Sequence, residues 1–213
     1  MQRECRAEEQ HQSWEHLYRQ ESRAWRGVNR LEVPLRPGLR TLDVGCGNGK
    51  SSAHLREHGC VVTGIDISET AVNICRERLP DALFLPADAA CLPFPDQTFD
   101  LVLLVHVLEH LGAPDRTKAI EEAWRVLVEG GTLYIQSFSV RDLRNGKGER
   151  IGDNSYRRGN GINYHYFDET EILSLVPSGC QFDLEEVSDP VRFGLEGDAR
   201  VRWRCRMLRP PRP

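Results

Sequence analysis

The chain is short of the features that would place it at once. No apolar run reaches membrane-spanning length; the longest, Leu101 to Leu108, is broken by His106. The opening Met1-Gln2-Arg3-Glu4-Cys5 has no apolar stretch, so no secretory leader is expected. Cysteines number seven, an odd count, and none is spaced C-x-x-C. Reduced thiols, a cytoplasmic location and no zinc cluster are therefore expected. Basic residues are not in excess either: the net charge of −4 provides no global field for nucleic acid. Internal repeats are lacking, and low complexity is confined to Pro210-Pro211-Arg212-Pro213. What remains is 213 residues, 39% hydrophobic and 28% charged, the make-up of one globular domain with additions.

One stretch organises that domain. Thr41-Leu42-Asp43-Val44 is apolar and extended, Gly45-Cys46-Gly47-Asn48-Gly49 turns, and Lys50-Ser51-Ser52-Ala53-His54-Leu55 enters a helix. Glycine there lets backbone amides approach a ligand, and the helix aims its N-terminal amides into the same crevice. A second run, Val61-Val62-Thr63-Gly64-Ile65, ends in Asp66. An acid about twenty residues on, at the end of the second strand of a βαβ unit, can accept from both hydroxyls of a ribose. The pattern G-x-G-x-G lacks the third glycine of the dinucleotide fingerprint, which suits a nucleoside without pyrophosphate and counts against a nicotinamide dehydrogenase.

Together with Asp88-Ala89, Asp100 leading into Leu101 to His106, and Glu122 to Ile135, these residues resemble the motif series of class I S-adenosylmethionine-dependent methyltransferases of the type 11-like kind. The likeness runs from about residue 40 to 137. It implies a three-layer αβα Rossmann-like fold on a mostly parallel seven-stranded sheet, the last strand antiparallel, and S-adenosyl-L-methionine as cofactor. It implies roles for Asp43, Gly45, Cys46, Gly47 and Gly49 beside the methionine portion, Asp66 and Ile67 at the ribose and adenine, and Asp88 and Ala89 at the adenine amine. Val105 and His106 would border the reactive methyl. An N-terminal lid is also implied, with Tyr18 and Trp25 over the cofactor.

Around that core the chain divides into a helical segment, 1–33, and a domain, 34–213. Trp14, Leu17 and Tyr18 share one helix face, which fits a packed helix as well as a lid. Gly59 is expected to end the helix that starts at Lys50, Ser68 to cap the next, and Pro80 to end it. Phe99 to Val105 reads as a central strand buried on both faces. Pro114 suits the first position of a helix that Gly130-Gly131 should stop. Residues 138–167 are glycine-rich and carry Arg141, Arg144, Lys147, Arg150, Arg157 and Arg158 against three acids. This insert is either substrate-facing or a surface loop. Asp168 to Val176 reads as a capped helix. In the final strand Arg200, Arg202, Arg204 and Arg206 fall on one face, as a solvated surface or a phosphate-binding strip.

A sulfonium methyl is already activated, and aligning a nucleophile behind it can contribute roughly 7–11 kcal/mol. A base is needed only for an acceptor that must lose a proton; His106, Tyr164, His165 and Tyr166 are the candidates for base or acceptor contact. His106, Glu109 and His110 spell H-x-x-E-H, but at the end of a buried strand rather than on a helix, so no zinc site is expected. The family's Asn/Asp-Pro-Pro-Tyr for amine methylation is replaced by Val105-His106-Val107-Leu108. The acceptor expected is therefore oxygen, carbon or sulfur of a small molecule. An RNA acceptor on the basic insert and an inactive cofactor-binding subunit are the alternatives.

Overall fold

The structure, a computed structural model, describes residues 2–20, 29, 31–191 and 198–211, with side chains from residue 8 onward. Trp25 lies outside the described residues. In chain order the elements are α1 (Gln2–Gln20), β1 (Arg40–Val44), α2 (Lys50–Glu57), β2 (Val61–Asp66), α3 (Glu69–Arg78), β3 (Leu83–Pro86) and β4 (Phe99–Val105). A 3-10 turn (Leu108–His110), α4 (Ala113–Val126) and β5 (Leu127–Phe138) follow. Then come β6 (Glu149–Gly152), β7 (Ser155–Arg157), β8 (Asn163–His165), α5 (Glu169–Ser174), β9 (Gln181–Pro190) and β10 (Ala199–Leu208).

Seven strands form one sheet in the order β3-β2-β1-β4-β5-β10-β9. Only β10, the last, runs antiparallel to its neighbours, as the sequence implied. The apolar run of β4 is buried on both faces. Val102 and Leu104 join the cluster holding Ile120 and Ala123 of α4, while Leu101 and Leu103 join the one holding Leu55 of α2. Register then positions the site. Val44 pairs with Ile65 and with Leu104, and Asp66 with Pro86, so the carboxyl ends of four strands open at one level.

Local signals work where their partners are close. The Ser68 hydroxyl accepts from Ala71 N, capping α3, and Gly59 closes the turn after α2 with φ +74°. The Asp168 carboxylate accepts from Glu171 N, but α5 ends at Ser174, short of Val176. Pro114 sits in the first turn of α4, one residue inside its start. The stop of α4 differs more. The helix ends at Val126 and β5 begins immediately, before Gly130-Gly131. The last carbonyls of α4 are taken from outside: Gln97 N donates to Arg125 O, Thr98 N to Val126 O, and Arg209 Nη1 to Trp124 O. With its carbonyls satisfied, the helix needs no glycine to finish. Gly130 serves instead in the bulge where β5 gains residues against β4.

The insert 138–167 is not a bare loop. It folds as an antiparallel β6-β7-β8 sheet, and its two ends are clipped together. Phe167 N donates to Phe138 O at 2.8 Å and Val140 N to Phe167 O at 3.0 Å. The four arginines of β10 do share a face, and acids neutralise them. Arg200 meets Asp142, Arg202 meets Asp189, Arg204 meets Glu32 and Glu185, and Arg206 meets Asp183. A phosphate strip needs unpaired charge, so the reading of β10 as an anion-binding face is corrected. Among the described residues no helix is long and apolar enough to cross a membrane.

Candidate active site

The Gly-rich turn leaves β1 with three glycines in left-handed backbone, Gly45 at φ +68°, Gly47 at +54° and Gly49 at +84°. A Cβ on Gly45 would stand 2.5 Å from Val107 Cγ2, and one on Gly47 2.7 Å from Tyr18 Oη. Only bare backbone fits between β1, helix α1 and the end of β4. Gly49 is the cap residue of α2. Cys46 ties the turn to β2 through its amide and Ile65 O (2.8 Å), with its thiol buried beside Cys75. Asp43, buried beneath the turn, accepts from Ser52 Oγ at 2.6 Å.

Asp66 meets the turn directly. Its carboxylate accepts from Gly47 N at 2.9 Å and from Ser68 N at 2.9 Å, leaving lone pairs for hydroxyl donors. Burial pushes its carboxyl up to about 6; the Ser68 and Gly47 amides hold it from rising further. Burial likewise raises Asp43 to about 6, against the pull of Ser52. With its carboxyl near 6, Asp66 is mostly ionised at neutral pH, and among the described residues no lysine or arginine is bonded to it.

A concave pocket opens above this bend. Gly45, Asp66, Ile67, Asp88 and Ala89 line one side, His106, Val107, His110 and Leu111 the other, and Gln10, His11, Trp14 and Tyr18 of α1 form its roof. Ile67 is 37% exposed there, apolar surface fit for a flat ring. Asp88 borders the pocket and also accepts from Ala90 N at 2.8 Å, an Asx turn. Val105 is directed instead into the core cluster with Tyr134.

Helix α1 is held over the pocket at two places. The Glu15 carboxylate accepts from Ser68 Oγ, Thr70 Oγ1 and Thr70 N at the start of α3. Burial raises this carboxyl, but the three donors outweigh it and bring it down to about 2. Gln10 donates through Nε2 to Gly161 O and accepts at Oε1 from Asn163 N, binding α1 to the insert. These partners are some fifty and one hundred and fifty residues away along the chain. No local pattern could have announced Gln10 or Glu15.

The four residues expected at the acceptor part company. His106 lines the pocket. His165 is buried, between Ser155 Oγ at Nδ1 (2.8 Å) and Glu171 at Nε2 (2.7 Å), fastening the insert to α5. Tyr166 is fully buried, its hydroxyl donating to Arg144 O and accepting from Arg158. Tyr164 packs edge-on to His110 with centroids 4.8 Å apart, and Trp14 packs on His110 at the same distance. His110 is thus the point where α1 and the insert meet after β4. Among the described residues no group of three or more His, Cys, Asp or Glu is placed to hold a metal.

Residues 42–135 match the family model described as a methyltransferase domain. That segment, a little under half of the chain, is similar to class I S-adenosylmethionine-dependent methyltransferase domains. The domain is 42% identical over 113 residues to 27-O-demethylrifamycin SV methyltransferase of Amycolatopsis mediterranei, covering 50% of this chain and 41% of that protein. It is 36% identical over 119 residues to demethylmenaquinone methyltransferase of Renibacterium salmoninarum, covering 56% and 49%. The chain thus spans less than half the length of these relatives. A solved S-adenosylmethionine-dependent methyltransferase from Methanosarcina mazei superposes with a TM-score of 0.70 and 24% identity, covering 84% of this chain and 95% of that one, which extends the shared fold beyond the matched segment. The matched segment thus supplies the turn and Asp66, while α1, outside it, supplies the roof.

Proposed function

We propose that this chain binds S-adenosyl-L-methionine and transfers its methyl group to oxygen, carbon or sulfur of a small molecule. The observation that carries the reading is the Asp66–Gly47 contact. It sets an ionised carboxylate against a bend that leaves no room for a side chain. Gly45, Gly47 and Gly49 pass backbone along the methionine portion, with Cys46 and Asp43 holding the turn's shape beneath. Asp66 accepts from the ribose hydroxyls, Ile67 covers the adenine, and Asp88 with Ala89 receives its amine. Tyr18 and Trp14 close the site from α1, so that segment 1–33 acts as the lid of domain 34–213. The bound sulfonium supplies an activated methyl; the chain's own task is to align an acceptor and exclude water.

Both curated relatives carry the names of small-molecule methyltransferases, and the pocket is small and largely apolar, which supports a small-molecule acceptor. The neutralised β10 arginines weigh against RNA. Free cysteines at every described position accord with a cytoplasmic setting.

Calorimetry with S-adenosylmethionine, on the native chain and Asp66→Ala, tests the reading. Binding to the first and loss of most affinity in the second are expected; equal affinity would remove the ribose role. Incubation with methyl-labelled cofactor and fractionated extract should place label in small molecules rather than RNA.

A further inference from the structure

His106 is built in a manner that alignment of a methyl acceptor does not require. It holds φ +59°, a left-handed conformation that costs a residue with a Cβ on the order of 1–3 kcal/mol and persists only where surroundings impose it. Its amide donates to Gln136 O at 2.8 Å, and its ring rests against Phe138 with centroids 4.5 Å apart. Its Nδ1 lies 2.7 Å from Glu109 Oε1. That carboxylate is wholly buried, and its other oxygen has no hydrogen-bond partner. A carboxylate kept merely as an anchor would be expected to have both oxygens bonded. Burial drives the Glu109 carboxyl upward, but His106, hydrogen-bonded to it, opposes that and the net shift is downward. Arg116 of α4 adds its charge from the far side.

The proton positions follow from the partners. A carboxylate only accepts, so His106 carries its proton on Nδ1 and leaves Nε2 as a base. Nδ1 of His110 faces Asn163 O at 2.8 Å, so His110 is likewise protonated there, and burial lowers its pKa, keeping it neutral. Two imidazoles, each engaged at Nδ1 and with no partner at Nε2 among the described residues, thus line one pocket.

We propose that Glu109 is a positioning residue that makes His106 the general base, and that the acceptor is an aromatic hydroxyl compound, since an imidazole is basic enough to ionise a phenol but not an alkyl alcohol and Trp14 and Tyr18 line the same pocket. This rests on the methyltransferase reading above. The acceptor's O–H proton passes to His106 Nε2. The freed electron pair, on oxygen or on the conjugated ring carbon, forms the bond to the methyl carbon as the carbon–sulfur bond breaks, its pair remaining on sulfur. With carbon as nucleophile the ring loses its own proton to water afterwards. The imidazolium, neutralised by Glu109, then releases its proton to solvent. His110 Nε2 orients the acceptor by a second hydrogen bond.

The test uses 4-nitrophenol and 4-nitro-1-naphthol, whose ionisation is seen by colour without turnover. With S-adenosylhomocysteine present, slightly below the probe's own pKa, the native chain should bind one of them as the phenolate. His106→Gln should bind it neutral, and Glu109→Gln should lower the ionised fraction several-fold, with cofactor affinity unchanged in both. Methylation of either probe should fall about 10²-fold or more in each variant. Probe bound in neutral form, or no probe bound while the cofactor binds normally, overturns the proposal. Absent cofactor binding by the native chain would instead remove the methyltransferase reading. Should Glu109→Gln fail to fold, the half-exposed His106→Gln carries the same colour test.

Discussion

The two sides of the pocket are made differently. The proposed cofactor side is one continuous stretch from β1 to the end of β3: Gly45 to Gly49, Asp66 and Asp88 lie within about forty-five residues, and the turn is tied to β2 by Cys46 N to Ile65 O and by Gly47 N to the Asp66 carboxylate. The opposite side is assembled from α1 and the end of β4, braced from behind by the insert, and these distant segments meet through the side chains of Gln10, Trp14, His110 and Tyr164. Backbone geometry tolerates little change, and side-chain contacts tolerate much. The first half is therefore suited to one constant ligand and the second to acceptors that differ among relatives.

Breaking the cofactor side should produce the largest effects. Gly45→Ala adds a Cβ at φ +68° within 2.5 Å of Val107. Strain and clash of on the order of 2–4 kcal/mol should raise the cofactor Kd by about 10²-fold or more. Calorimetry beside a thermal melt separates binding from folding; an unchanged Kd would mean that the turn does not need bare backbone.

Asp66→Asn should cost roughly ten- to hundredfold in cofactor affinity, the loss of a charged acceptor. It should not lower the melting temperature by a comparable amount, because burial already disfavours the native carboxylate. The pH dependence follows. Asp43 and Asp66 titrate near 6 when folded against an ordinary 3.8, so between those values the folded chain holds more protons. Their charged forms disfavour folding fully above about pH 6, and their contribution to stability improves as pH falls from 6 toward 3.8. Cofactor affinity moves the other way, declining as pH drops through 6. Affinity flat from pH 7.5 to 5 would contradict the ionised Asp66.

The lid latches sharpen the comparison at smaller magnitude. Gln10→Ala removes two hydrogen bonds between α1 and the insert and should raise the acceptor KM about fivefold, near 1 kcal/mol. Hydrogen exchange should show α1 opening more often. Glu15→Gln acts at the other latch and should weaken the cofactor complex instead. The smallest change is expected on β10. Arg202→Ala or Arg206→Ala breaks an exposed, screened pair and should alter stability by under about 1 kcal/mol. Turnover and its salt dependence should not move; a steep response would reopen an RNA acceptor.

The order of the sheet came only from the structure and its antiparallel last strand from the family resemblance, while the bend at Gly45–Gly49, the buried run of β4, the cap of α3 and the place of Asp66 were legible in the residues. Each is written in short-range patterns: glycines where backbone must turn left-handed, an apolar run buried on two faces, a cap one turn before its helix. The stop of α4 was misread because its carbonyls find Gln97, Thr98 and Arg209. The arginines of β10 were placed on one face correctly, but their charges could not be balanced without knowing that Asp142, Asp183, Asp189 and Glu32 come to lie beside them. His165 and Tyr166 looked like site residues by composition and proved to be bonded into the base of the insert.

By itself, then, the sequence determined the chemistry of the cofactor side, because bare peptide and one carboxylate at a strand end are properties of neighbouring residues. Only the tertiary structure decided which side chains line the other side of the pocket. The roof from α1, the contact of His110 with Asn163 and the burial of Glu109 depend on partners brought together by long-range packing, whose direction no local spacing encodes.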